Sequence, residues 1–353
     1  MSTAVVSAPI ALADWLRRRW LRVLGGLARP IVRHREFRVA LMFSAVIVTA
    51  LAGSLLVPLW LLILGPLVWG VPHLVADLRY LVVRTGYHRR PLLGLVAGLP
   101  LMWLALGGGL VWGFVGACGV ALVARADLLP RAVAFAVLVA CAASMLALGR
   151  TADVVFAHAH NFVAVGVWWL WRPRLGRAHW IPLALLIAAT MFLLGGPAFQ
   201  LVHAAGGLDW FGADMGPDYQ LWRLAPDLEP GPGRRLVLLF CFAQTIHYAL
   251  WLQLIPDEDR DRPTPTTFRA SHESLRADLG DVGLVVAAMI AVGIAAWALV
   301  DLTAANHGYF RMARFHGHLE IMAGTLLLLE GRLRTGSTTI GSSPRGGTGP
   351  RPT

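Results

Sequence analysis

Phe315-His316-Gly317-His318-Leu319-Glu320 sets two histidines and a carboxylate inside an apolar stretch, 311–331. An apolar run of about 20 residues is long enough to cross a bilayer as a helix. Ionisable groups at that depth are expensive, so the first reading of them is functional. Three other apolar segments carry comparable sets: His73 with Asp77, His158 and His160 with Asn161, and Gln244 with His247 and Tyr248. These four helices are expected to meet around one buried polar site.

Composition supports the same class. Of 353 residues, 57% are hydrophobic and only 14% charged, and the mean hydropathy is +0.62. The expected fold is all-α, a polytopic integral membrane bundle of about ten transmembrane helices. Spans are expected near 39–57, 58–83, 91–107, 109–125, 131–149, 150–172, 178–196, 234–255, 281–303 and 311–331. Residues 1–38 form a basic amphipathic segment suited to an anionic membrane surface, with no cleavable signal. Pro256 to Asp281 reads as a charged surface loop, and 332–353 as a disordered tail.

Every one of the 31 basic residues is arginine, and the net charge is +11. The arginines fall mostly in short loops between apolar runs, which is a topological signal and not a nucleic-acid footprint. Arg84, Arg89 and Arg90, then Arg125 and Arg131, then Arg172, Arg174 and Arg177, and then Arg260 to Arg276 share one side with both termini. That side is expected to be cytoplasmic, in a multi-pass protein of the plasma (inner) membrane. The longest opposite loop, 197–233, holds Asp209, Asp214, Asp218, Asp227 and Glu229. Cys118, Cys141 and Cys241 are isolated in apolar segments, so neither disulfides nor a CxxC metal motif is expected. The chain contains no HExxH, nucleophile elbow, phosphate loop or dinucleotide fingerprint.

Spacing sharpens the site. His73/Asp77 and His316/Glu320 are i,i+4 pairs, and His158/Asn161 and Gln244/His247 are i,i+3 pairs, so each puts two polar groups on one helical face. Metal-bound imidazoles need their second nitrogen held, and a neighbour one turn away is one way to hold it. Histidine with carboxylate suits iron, manganese or zinc. The candidate ligands are His73, His158, His160, His247, His316 and His318, with Asp77, Glu320 and Tyr248 as candidate catalytic groups. Members of each His-x-His pair stand about 200° apart on a helix, so one of each should face the site. His316, sharing a face with Glu320, and His160, sharing one with Asp153, are the favoured members; Gly317 between the second pair would permit local distortion.

Gly70-Val71-Pro72-His73-Leu74-Val75-Ala76-Asp77 resembles the GxPHGxxD-type motif of the bacterial and archaeal retinal-forming β-carotene dioxygenase family (Brp/Blh), with Leu74 in place of the glycine. The resemblance covers one helix. It implies His73 as an iron ligand with Asp77 as its orienting partner, and dioxygen chemistry on a lipophilic substrate.

The leading expectation is therefore a membrane-embedded non-haem-iron oxidoreductase or oxygenase whose lipophilic substrate enters from the bilayer. A haem b or quinone electron carrier is the second reading, since two facing histidines can be axial haem ligands. The third is a proton-coupled transporter with an intramembrane His/carboxylate relay. Nucleic acid is not an expected partner; the lipid bilayer is.

Overall fold

The computed structural model describes residues 3–174, 176–207 and 213–331, and every regular element among them is helical. The expected tail, 332–353, lies outside the described residues. In chain order the helices are α1 (Thr3–Val23), α2 (Ala28–Arg33), α3 (Arg35–Leu56), α4 (Pro58–Asp77), α5 (Pro91–Ala105), α6 (Val111–Val123), α7 (Leu128–Leu148) and α8 (Arg150–Trp171). They continue with α9 (Trp180–Leu194), α10 (Gly196–Ala204), α11 (Pro217–Leu224), α12 (Pro230–Ala249), α13 (Ile255–Glu258), α14 (Phe268–Val300), α15 (Leu302–Ala313) and α16 (His316–Glu330).

Local chemistry explains many of these boundaries. Pro58, Pro91 and Pro230 open α4, α5 and α12, where the missing N–H would have had no helical partner anyway. Thr267 and Asp301 cap α14 and α15 by accepting from the N–H groups of Ala270 at 3.1 Å and Ala304 at 2.8 Å.

Among the described residues, six helical stretches are long and apolar enough to cross a membrane: Arg35–Leu56, Pro58–Val83, Leu128–Leu148, Arg150–Trp171, Pro230–Glu258 and Phe268–Val300. α9 and α10 together would make a seventh, bent by 75° at their junction. α5, α6 and α16 are apolar but only 15, 13 and 15 residues long, so straight crossing is beyond them.

The bundle is built around α12. Its stretch is 78% buried, whereas that of α14 has no buried share and α7 has 11%. α12 packs on α4 and α8, and α16 packs on both as well. The four helices carrying the intramembrane polar groups therefore form a ring in which α4 and α8 each pack on both α12 and α16, with α3 and α9 closing the far side.

Three expectations change. The stretch 311–331 is not one helix: the chain breaks at Arg314–Phe315, and His316 starts α16. Pro256 to Asp281 is not wholly loop, because α14 begins at Phe268 and bends at Gly280, whose φ of 71° only glycine adopts cheaply. Asp14 explains the early start: its carboxylate accepts from the N–H groups of Phe268 at 2.7 Å and Arg269 at 3.2 Å, adding an anion at the helix N-terminus. The basic N-terminal helix is thereby tied to α14. Finally, α3 starts four residues earlier than 39, and its Arg38 forms a buried two-pronged pair with Asp257 at 2.8 and 2.9 Å.

Candidate functional site

Four imidazoles, one from each of α4, α8, α12 and α16, come together in the centre of the bundle. Ring centroids of His73 lie 5.4 Å from His247 and 5.0 Å from His316. Those of His160 lie 5.4 Å from His247 and 5.0 Å from His316, and His247 and His316 are 5.5 Å apart. One nitrogen each of His73, His247 and His316 lie mutually within 4.8 Å. A second set, Asp77, His247 and Glu320, meets the same limit, so His247 belongs to both. Ligand atoms about 2.0–2.1 Å from one zinc-sized ion stand about 3–4 Å from each other, close to this spacing.

Two helical irregularities flank the cluster. α4 passes directly into a π-helical turn at Leu78–Val83 after Asp77, and α12 into another at Leu250–Leu254. π turns inside helices recur at functional sites because they rotate the following residues to a new face. Here the second turn carries Trp251, whose Nε1 donates to Glu320 Oε1 at 2.6 Å.

The site is buried and under-satisfied. His73, Asp77 and Glu320 are 0% exposed and His247 is 1% exposed. Both nitrogens of His73 and His247, both oxygens of Asp77 and Oε2 of Glu320 are buried without a hydrogen-bond partner. Buried polar atoms are paired in the great majority of proteins, so this concentration needs an explanation. Arg79 does not neutralise Asp77; it pairs with Asp278 at 2.7 Å and bonds Ser274. Two carboxyl groups in a dry interior, one helix apart, are costly as anions unless a cation joins them or they are protonated.

His160 and His316 are held differently from the other two rings. Their Nδ1 atoms contact the carbonyls of Phe156, at 3.3 Å, and Ala313, which leaves Nε2 as the nitrogen for another partner. Gly317 matters for proximity: a Cβ there would lie 3.1 Å from Phe156 and 3.2 Å from the Cβ of His160. Its role is close packing of α16 on α8, while the distortion of the chain occurs earlier, at Arg314–Phe315.

The remaining partners of the His-x-His pairs point elsewhere. His158 Nε2 bonds the Leu224 carbonyl at 2.8 Å, and its ring packs on Phe240 at 5.3 Å. His318 stacks on Phe156 at 4.2 Å and meets Phe114 at 5.0 Å. The structure thus separates His158 and His318 from the four-ring cluster, as expected from their angular offset. Tyr248 lies at the cluster's edge, its ring 4.6 Å from that of His73, and its hydroxyl hydrogen-bonds that of Tyr309. Asn161 faces its own helix, donating to Ala157 O at 3.0 Å.

A cavity of about 550 Å³ opens onto the cluster, with His160, His247, His316, Gln244 and Tyr248 in its wall. Such a volume is ordinary for a small-molecule site. Arg150 and Asp153, ten and seven residues before His160 on α8, also line it, so the cavity runs about 10–15 Å along that helix. Trp251, Tyr309 and Arg223 contribute here without having been singled out in the sequence. Trp251 had a signal, standing four residues after His247; Tyr309 and Arg223 had none at the level of spacing.

Comparison of the chain with known protein families, curated proteins and solved structures finds no match in any of the three.

Proposed function

We propose that this protein is a membrane-embedded metalloenzyme, a non-haem-iron oxidoreductase or oxygenase acting on a lipophilic substrate. The observation that carries the reading is the set of buried, unpartnered ring nitrogens of His73 and His247 beside the unpartnered carboxylate oxygens of Asp77 and Glu320. A cation shared among these donors would satisfy them together. The donor set is imidazole and carboxylate, which suits iron, manganese or zinc, and iron is the choice for redox chemistry.

In this reading His73, His247 and His316 hold the metal, with His160 beside them and Glu320 and Asp77 within reach through His247. Bound iron would supply one-electron and dioxygen chemistry. The chain's own residues do the rest: the Trp251 N–H holds Glu320 in place, the backbone carbonyls fix the His160 and His316 rings, and Tyr248 sets one wall of the substrate cavity. The resemblance of Gly70 to Asp77 to the Brp/Blh motif belongs to the same proposal. Haem b fits the donor geometry less well, because four imidazole rings in contact leave no flat slot for a macrocycle between two of them.

The proposal extends to topology: about ten membrane-crossing helical segments, the shorter ones included, with both termini on the arginine-rich cytoplasmic side. Reporter fusions at either end give the orientation.

The test of function is elemental analysis with an optical spectrum of detergent-purified protein, wild type beside His247→Ala. Near-stoichiometric iron without a Soret band, lost in the variant, is the expected result. A Soret band would replace this reading with the electron carrier. Absence of both metal and chromophore after chelator-free anaerobic purification would leave the proton-coupled transporter in front.

A further inference from the structure

The cavity that opens onto the imidazole cluster also has a cationic lining. Arg150, Arg223, Arg311 and Arg314 line it, against one carboxylate, Asp153, an excess of three positive charges when the four arginines are set against the one acid. Among the described residues none of the four arginines forms an ion pair. Arg150 and Arg311 are partly occupied with backbone, donating to Trp222 O at 3.0 Å and Leu106 O at 3.1 Å.

Arg223 is different. Its Nε and Nη2 are buried with no hydrogen-bond partner, while the guanidinium's other side-chain partners are Asn306 Oδ1, which Nη1 reaches at a long 3.4 Å, and the Tyr219 hydroxyl. The guanidinium is positioned by aromatic faces, 4.5 Å above the Phe310 ring and 6.0 Å from that of Tyr219. Aromatic faces orient a guanidinium but do not satisfy its N–H groups. A planar fork with two open donors in a cavity wall matches the two oxygens of a carboxylate or phosphate.

We infer that Arg223 is the anchor of an anion-binding subsite, and that the ligand is an amphiphile whose carboxylate or phosphate head sits on Arg223 while its apolar chain extends along the cavity toward His160, His247 and His316. The apolar lining supports the chain end: Val154, Phe156, Leu224, Phe240 and Phe310 line the same cavity. Arg314 and Arg150 add charge at the mouth. This deepens the proposed function by naming its substrate class, and rests on that reading only for what happens at the imidazole end.

The test is binding of three probes to the detergent-purified full chain: lauric acid, dodecyl phosphate and dodecanol, with inorganic phosphate as competitor, followed by calorimetry or quenching of tryptophan fluorescence. The two anionic amphiphiles should bind about ten-fold or more tighter than the alcohol, the effect of one charge-assisted hydrogen-bonded pair. Arg223→Gln should erase that difference while leaving alcohol binding and iron content as in the wild type. Arg223→Lys should keep part of it, which separates a lost charge from a damaged fold.

Equal affinity for acid and alcohol in the wild type, or an unchanged preference in a folded Arg223→Gln, overturns the inference. Inorganic phosphate competing as well as dodecyl phosphate overturns the amphiphile and leaves a soluble anion as the ligand. Because iron content is measured in the same samples, loss of metal without loss of anion preference would count against the metalloenzyme reading alone.

Discussion

The indole Nε1 of Trp251 donates a 2.6 Å hydrogen bond to Oε1 of Glu320, and the same oxygen stands 3.4 Å from Nε2 of His247. One residue in a π-helical turn of the central helix thus holds a carboxylate on α16 against the imidazole common to both candidate ligand sets. The turn is what makes this possible, since it re-aims the side chain one turn after His247.

Removing that donor gives the first prediction. Trp251→Phe keeps the ring's bulk but leaves Glu320 without its only hydrogen-bond donor among the described residues. Partners of this kind typically change metal affinity by about 10–100-fold. Chelator competition on the purified variant should show a loss in that range; an unchanged metal affinity would remove Glu320 from the site.

Packing around His318 gives a second. A Cβ at Gly113 would lie 2.1 Å from the His318 ring, which is itself wedged between Phe114 and Phe156. Gly113→Ala therefore overpacks a filled space at a cost of about 1–3 kcal/mol. Its thermal unfolding temperature in detergent should fall clearly. Gly98→Ala, where a Cβ meets nothing within 4 Å, should be neutral or slightly stabilising and serves as the control.

The buried pair Arg38–Asp257 joins the start of α3 to α13, with both residues less than a tenth exposed. Asp257→Asn leaves the guanidinium without its counter-charge, and breaking such pairs costs about 3–5 kcal/mol. The variant should unfold at lower temperature than wild type, and adding Arg38→Met should recover part of the loss. A double variant no better than the single one would mean that the pair is not energetically coupled.

How far the sequence reached is visible in particular residues. The long apolar helices between 35 and 300 followed from the length of apolar runs, because burial in lipid leaves the backbone no alternative to internal hydrogen bonds, whereas α10, α11 and the start of α14 fell in stretches read as loops. The convergence of α4, α8, α12 and α16 was suggested by their shared polar groups; the angular offset allowed one member of each His-x-His pair to face the site, and the faces shared with Glu320 and Asp153 favoured His316 and His160. The turn at Arg314–Phe315, where both residues keep right-handed helical φ/ψ, could not be read, since neither is a helix breaker. The π turns were invisible for the same reason. Arg223 carried no spacing signal, and only the fold sets its guanidinium 4.5 Å over Phe310.

The histidine series decides between a ligand cluster and a scattering of packed rings. His73, His160, His247 and His316 share one centre, whereas His158 is committed to the Leu224 carbonyl at 2.8 Å and His318 to a stack with Phe156 at 4.2 Å. If the centre binds metal, alanine at His73, His247 or His316 removes a donor and should abolish stoichiometric metal. His160→Ala should weaken retention. His158→Ala should instead leave metal content intact and lower stability by about 1–3 kcal/mol, because the Leu224 carbonyl loses its partner in a buried setting. His318→Ala opens a hole beside Phe114 and should likewise cost stability without metal. A uniform loss of metal across all six variants would indicate general unfolding and not ligation, which unfolding temperatures measured in parallel would expose. Metal retained in both His73→Ala and His247→Ala would remove the cluster as the binding site, whatever the stability of the variants.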